Sequence, residues 1–203
     1  KGIYKFNMKI LFYFLGIILI PFLAFSSVQS VYFAGGCFWC VEEVFEKLEG
    51  VEEVYSGYSG GHLDNPTYEQ VVKGQTGHIE AVKIDYNSDV ISTKKLLKSL
   101  FLNIDPFDSG GQFCDRGYSY KSAIFSNDQK LLEEASNLIN AIEANHDKKV
   151  EVLILPFKNF FLAEDYHQNY YKINPIRYNY YKFSCGREQK IKELRVNLGW
   201  LNF

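Results

Sequence analysis

Apolar residues recur along this chain alternately at strand and at helix spacing, in the order β-α-β-β-α-β and then α-β, and that order predicts an α+β sandwich. The length fits one such domain, because 203 residues bury one sizeable core and leave no room for a second. Composition agrees: 47% hydrophobic and 23% charged residues describe a globular chain and exclude a disordered tail or a collagen-like repeat. A net charge of −2 supplies no basic stripe, so nucleic acid is not an expected partner.

Residues 1–30 stand apart from this pattern. Met8, the single methionine, precedes Lys9, an apolar run over 10–25 broken by Pro21, and small polar residues over 26–30. That is the layout of a secretory signal peptide, with residues 1–7 upstream of the natural start and cleavage after Ser26 or Ser30. The run is short for a membrane span of about 20 residues. Export, to a periplasm, is therefore expected, with membrane anchoring only if the leader is retained. Residues 31–203 form the single domain. An exported chain exposes Cys37, Cys40, Cys114 and Cys185 to oxidation, which favours structural bridges. A core of this size needs no staple, however, and Cys37-x-x-Cys40 is the spacing of redox pairs. Both readings stand on composition alone.

The elements follow in order. Residues 31–34 read as a strand ended by Gly35 and Gly36, and Val41, Val44, Phe45 and Leu48 lie on one face of a helix closed by Gly50. Residues 51–58 are a second strand. A loop rich in Gly, Asn, Pro and Thr covers 59–78, a length that usually signals function. Residues 79–86 are a third strand, and Ser92 and Thr93 can cap a helix with Leu96, Leu97, Leu100 and Phe101 on its apolar face. A loop over 103–117 leads to a strand at 121–125. Asn127 then caps a helix carrying Leu131, Leu132, Ala135, Leu138, Ile139 and Ile142, and 150–155 is a fifth strand. This is the order of a ferredoxin-like split βαβ sandwich with an added helix and strand. After Pro156 a tyrosine-rich, loop-rich tail is expected to wrap the domain, with a short helix near 163–172.

The segment Gly35-Gly36-Cys37-Phe38-Trp39-Cys40 is the richest in chemistry. Paired glycines permit a tight turn after the strand, and the next residue falls at the first turn of a helix, where free N–H groups and the dipole favour a thiolate. Cys37 is thus a candidate nucleophile. Phe38 and Trp39 are either core plugs or the walls of a pocket beside the sulfur. Glu80 shares a strand face with Val82, Ile84 and Tyr86, apolar company that raises a carboxyl pKa and lets it donate a proton. The competing reading is a strand-end charge reaching solvent. His62, His78, His146 and His167 are too scattered for a ligand cluster, so no metal is expected.

These residues resemble a known family. Gly35-Gly36-Cys37-Phe38-Trp39 is similar to the signature of the peptide methionine sulfoxide reductase A family. The likeness continues in that family's order through Asn65-Pro66-Thr67-Tyr68, Gly77-His78-Ile79-Glu80-Ala81-Val82, Asp115-Arg116-Gly117-Tyr118-Ser119-Tyr120 and Ala163-Glu164-Asp165-Tyr166-His167-Gln168. It spans 31 to about 187. The resemblance implies that Cys37 attacks the sulfur of methionine-S-sulfoxide, free or in peptides and proteins, while Glu80 protonates its oxygen. Tyr68 and Tyr120 match tyrosines that hydrogen-bond that oxygen, Asp115 matches a supporting aspartate, and Phe38 and Trp39 would hold the S-methyl group. Cys37 becomes a sulfenic acid, condenses with a second thiol, and is restored by an external thioredoxin-like dithiol, with no bound cofactor. Repair of oxidised exported proteins by a monomer is the implied role.

Two departures leave the second thiol open. Many relatives have glycine where this chain has Cys40, and some end in a tail with two recycling cysteines where this one has only Cys185. Cys185, in a tail read as flexible, is the first candidate for resolving the sulfenic acid, and Cys40 is the next. Cys114 is the third, or a buried small residue. Glu164 and His167 are expected to tie the tail to the body, and Tyr178, Tyr180 and Tyr181 to form packing surface. Two rival functions remain: a thiol-disulfide oxidoreductase using Cys37 and Cys40, and a disulfide-stapled binding module.

Overall fold

The structure, a computed structural model, describes residues 1–2 and 27–197, so the leader expected from the sequence lies almost wholly outside the described residues. In chain order the elements are β1 (Val28–Gly35), α1 (Phe38–Glu46), β2 (Val51–Ser59), α2 (Tyr68–Val72), β3 (Ile79–Asn87), α3 (Thr93–Phe101), the two-residue strands β4 (Gly111–Gln112) and β5 (Asp115–Arg116), β6 (Ser122–Phe125), α4 (Gln129–His146), β7 (Leu153–Leu155), β8 (Phe160–Leu162), α5 (Tyr170–Ile173), α6 (Pro175–Ser184) and α7 (Arg187–Asn197). Six strands form one sheet in the order β7-β6-β1-β3-β2-β8, while β4 and β5 pair separately. Every pairing in the large sheet is antiparallel except β6 with β7. The fold is mixed α+β.

Period-two alternation decides which residues face which side of the sheet. Val31 and Phe33 of β1, Val82, Ile84 and Tyr86 of β3 and Ile124 of β6 join Val41 and Phe45 of α1, Leu96, Leu97, Leu100 and Phe101 of α3 and Leu131, Ala135 and Ile142 of α4 in the main core. Each of these leucines and phenylalanines contributes about 1.5–3 kcal/mol by leaving water. The alternate residues Ala34, Ile79, Ala81, Ala123 and Phe125 form a thinner layer beneath Leu153, Leu155, Phe157 and Phe160. Glu80 therefore points toward the helical side, at the end of β3 where Tyr58 is its partner on β2.

Three sequence expectations change. The cap of α4 is Asp128 and not Asn127: the Asp128 carboxylate accepts from the Lys130 N–H at 3.0 Å, while Asn127 donates its side-chain amide to the Phe157 carbonyl at 2.7 Å. The loops over 59–78 and 103–117 contain order of their own, α2 with a Thr67–Gln70 capping box and the β4–β5 hairpin. The tail has the short helical segment expected near 163–172 and is helical beyond it, where loops were expected. Pro175 opens α6 at its first turn, where its missing N–H costs nothing, and Tyr178 and Tyr181 recur at helical spacing against the start of α1. Tyrosine is a mediocre helix former, so this packing, absent from local sequence, stabilises the helix.

Candidate active site

Gly35 and Gly36 turn the chain from β1 into α1. Gly36 has φ +82°, and a Cβ there would stand 2.6 Å from Gln112 Cβ, so both the backbone shape and the space require glycine. Cys37 is the residue that precedes the first helical position, with no side-chain cap of its own. Its carbonyl accepts from Cys40 and Val41, and the next N–H, that of Phe38, donates to Glu80 Oε2 at 3.1 Å. An orphan donor of the helix start thus binds the carboxyl on β3 directly. Cys37 and Glu80 are drawn together from 43 positions apart, both buried, at 5% and 1% exposure.

Glu80 is the buried carboxyl read from its strand neighbours. Burial holds it up at about 8, against the opposing pull of the Phe38 N–H, and the nearby Asp115 charge adds to the rise. It is protonated at neutral pH. Tyr120 lies close enough to Glu80 and Tyr68 for the three groups to shift one another's ionisation. Burial pushes the Tyr68 hydroxyl up to about 12 and the Tyr120 hydroxyl higher still. Asp115, on β5, accepts from the Tyr181 hydroxyl at 2.5 Å and is itself raised by burial.

The cysteines differ from expectation in two ways. A helix start favours a thiolate, yet burial pushes the Cys37 thiol well up, helped by its hydrogen bond to Cys40 and by the charges of Cys40, Glu80 and Asp115. Cys40, at 2% exposure, is instead lowered to about 7, chiefly by that same hydrogen bond and then, against burial, by Arg187 and Tyr178. The two sulfurs share one buried site, and desolvation opposes a charge on Cys37. The second difference concerns the tail. Cys185 is the closing residue of α6 and is bonded to Cys114, while Cys37 and Cys40 are free thiols. Cys114 is exposed, not a buried small residue. The bridge follows from two chain segments 71 residues apart meeting beside Asp115, which no local pattern announces.

The aromatics also separate. Phe38 is 1% exposed and packs against Tyr58, Tyr68 and His167, so it belongs to the core. Trp39 is half-buried, stacked on Tyr170 at 3.8 Å with its Nε1 donating to His167 Nδ1 at 3.1 Å. Burial lowers His167 to about 4, leaving it neutral. Glu164 accepts from the Tyr68 N–H and the Tyr58 hydroxyl, both at 2.8 Å, which ties the tail to the body. Sequence reasoning missed Tyr170, the Tyr181–Asp115 bond, the buried Glu42 that accepts from Asn169 N–H at 3.0 Å, and Arg187. Helical spacing of Tyr178 and Tyr181 with Cys185 was the available signal for α6. Arg187 carried none. Among the described residues, Cys114, Asp115 and Cys185 bring potential metal-binding atoms within 4.8 Å of one another, but the two sulfurs are already bonded to each other.

The model of the peptide methionine sulfoxide reductase family matches residues 29–197. The peptide methionine sulfoxide reductase MsrA 2 of Staphylococcus aureus is 48% identical over 162 residues, 78% of this chain and 91% of that protein. The MsrA/MsrB protein of Vibrio cholerae is 44% identical over 171 residues, 83% of this chain but only 45% of that longer protein. Reduced Mxr1 from Saccharomyces cerevisiae has a similar structure, with a TM-score of 0.69 at 29% identity, covering 73% of this chain and 87% of Mxr1. Mxr1 in complex with Trx2 is alike in fold, with a TM-score of 0.50 at 21% identity, covering 70% of this chain and 84% of that one. A match over nearly all the described residues, with relatives at 44% and 48% identity, means that the chain belongs to the peptide methionine sulfoxide reductase family, the enzymes that reduce methionine sulfoxide to methionine.

Proposed function

We propose that this reductase acts on methionine-S-sulfoxide, free and in exported proteins, with Cys37 as nucleophile, Glu80 as acid and Cys40 as the resolving thiol. One observation carries the reading: the protonated Glu80 carboxyl is bonded to the N–H next to Cys37, so proton donor and sulfur serve the same substrate atom pair. Cys37 passes its proton to Cys40 and attacks the sulfoxide sulfur, and the oxygen takes the Glu80 proton under hydrogen bonds from Tyr68 and Tyr120. Oxygen transfer leaves methionine and a Cys37 sulfenic acid. Cys40 then attacks that sulfur, forming a disulfide and water. Asp115, pinned by Tyr181, orients the site from the hairpin. Stacking of Tyr170 on one face of Trp39 makes the aromatic wall one-sided, which supports discrimination between epimers.

Bonding of Cys185 to Cys114 supports Cys40, hydrogen-bonded to Cys37, as the first partner of the sulfenic acid. The Cys114–Cys185 pair recycles it by disulfide exchange: the reduced pair opens the Cys37–Cys40 bond, becomes a disulfide itself and presents the exposed Cys114 to an external dithiol. A thioredoxin-like reductant suits that surface disulfide, and a yeast relative is known in complex with Trx2. The β6-β1-β3-β2 order of the central strands supports the ferredoxin-like reading of the scaffold. Export is supported by Lys9 and the apolar run over 10–25. Cleavage after Ser26 leaves β1 whole, whereas cleavage after Ser30 strips Val28, Gln29 and Ser30 from Asn87, Tyr86 and Asp85. N-terminal sequencing of the secreted protein tests it.

The deciding experiment incubates fully reduced enzyme with each sulfoxide epimer and no reductant, and counts methionine. The S epimer is expected to yield two methionines per chain, one for each disulfide that the four cysteines can form. No methionine from the S epimer overturns the function, and a yield of one removes Cys114–Cys185 from the cycle.

A further inference from the structure

Arg187 opens α7 and is 3% exposed. Its Nη2 donates to the carbonyls of Gly35 at 3.1 Å and Asn103 at 2.8 Å, and its guanidinium lies over the Phe113 ring, 4.7 Å from the ring centre. These grips join the tail to the turn that sets Cys37. The group is nevertheless incompletely satisfied, because its Nη1 is buried and has no hydrogen-bond partner among the described residues. A buried donor left idle is costly, and more so when it is charged. A planar cation fixed on three sides with one edge free is built to meet an anion.

The anion is close by. Arg187 and Cys40 line one cavity of about 440 Å³ behind α1. A Cβ on Gly36 would stand 3.4 Å from Arg187 Nη1, so the free edge lies beside the turn that leads into the cysteines. The other cations of that cavity are engaged or exposed: Lys182 pairs with Glu43 and Glu188, Arg195 is held by the Leu102 carbonyl and Asn103, and Lys192 is exposed. The remaining groups that face Cys40 are Cys37, the Tyr178 hydroxyl, whose proton goes to Glu43, the raised Tyr181 hydroxyl, the protonated Glu80 carboxyl, and Asp115, whose charge opposes an anion there. Glu43 also lines the cavity but is neutralised by Lys47, Lys182 and Tyr178.

We propose that Arg187 is the positioning residue of the resolving step, its buried guanidinium charge, in the cavity it shares with Cys40, favouring that sulfur as the anion that attacks oxidised Cys37. This rests on the reading of Cys40 as the resolving thiol. In the step, the Cys40 thiolate attacks the sulfur of the Cys37 sulfenic acid. The S–S bond forms as the S–O bond breaks, and hydroxide leaves and takes a proton from solvent to become water. Cys40 is oxidised and the Cys37 sulfur reduced to the disulfide level, so no outside electron is needed. Bonding of Arg187 to Gly35 holds the charge in register with the turn before Cys37.

The test titrates Cys40 by ultraviolet thiolate absorbance in Cys37→Ser protein with the Cys114–Cys185 bridge intact, taking the difference from Cys37→Ser/Cys40→Ser. In that background Arg187→Gln is expected to raise the Cys40 midpoint by about one pH unit, and Arg187→Lys to restore most of it. In otherwise wild-type enzyme, Arg187→Gln should keep the first methionine while Cys37–Cys40 closure at neutral pH slows by about five- to tenfold, recovering as pH rises. An unmoved midpoint in folded Arg187→Gln overturns the proposal. Should that variant not fold, Phe113→Leu, which leaves the arginine and removes the ring beneath it, is expected to shift the midpoint the same way by less, and no shift there overturns it equally. If the wild-type enzyme forms no Cys37–Cys40 bond after turnover, the resolving role of Cys40 has failed instead.

Discussion

Burial holds the Glu80 carboxyl at about 8, and that proton governs both turnover and stability. As the acid, Glu80 must be protonated, so activity is expected to fall as pH rises through about 8, and Glu80→Gln to cost about 10²–10⁴-fold in sulfoxide turnover while losing that alkaline limb. The stability effect has the opposite sign. Unfolded Glu80 ionises near 4.5 and folded Glu80 near 8, so between these values the folded state holds the extra proton and stability drops as pH rises. Melting temperatures of Glu80→Gln relative to wild type should therefore climb from pH 4.5 to pH 8 and be level below that window. His167 works in the other direction. Burial keeps it neutral down to about 4, so acid favours the unfolded chain between 6.5 and 4. His167→Asn should flatten that acid slope in the same melting series. Of these two residues, only Glu80 announced its state in the sequence, because its apolar neighbours lie at alternate positions of one strand. The neutral state of His167 depends on Phe38, Trp39 and Tyr68 closing around it from distant segments.

Helices α1, α3 and α4 were legible from apolar spacing, and the spacing has an energetic meaning that can be checked. Leu97 of α3 is fully buried in the main core, so Leu97→Ala should lower the unfolding free energy by about 2–5 kcal/mol in a urea titration. Helix α6 is the contrasting case. Its tyrosines are weak formers, and its stability rests on contacts with α1 and the hairpin, among them Tyr181 to Asp115 and Tyr178 to Glu43. Tyr181→Phe removes one such bond and is expected to cost about 0.5–1.5 kcal/mol. It should also reduce turnover by releasing Asp115, which steady-state rates at saturating sulfoxide read. Local propensity reads the tail beyond 172 as loop, because tyrosine is a weak helix former. Packing across more than 130 positions decided otherwise.

At the scale of the whole molecule, the Cys114–Cys185 bond closes a long loop and joins the hairpin beside Asp115 to the end of α6. A cross-link at a separation of 71 restricts the unfolded chain by about 4 kcal/mol in the loop-entropy account. Cys114→Ser/Cys185→Ser should therefore unfold at lower denaturant than the oxidised wild type, and should halve the methionine yield without reductant. The apolar faces of α1, α3 and α4, the turn into Cys37 and the apolar setting of Glu80 were all determined by the sequence alone, since each depends on residue types within a few positions of one another. Tertiary structure decided which strands are neighbours, which cysteines bond, how far the Cys37 thiol is desolvated, and that the tail is helical beyond 172. Those outcomes depend on desolvation and on approaches between segments far apart in the chain, and short-range pattern contains neither quantity.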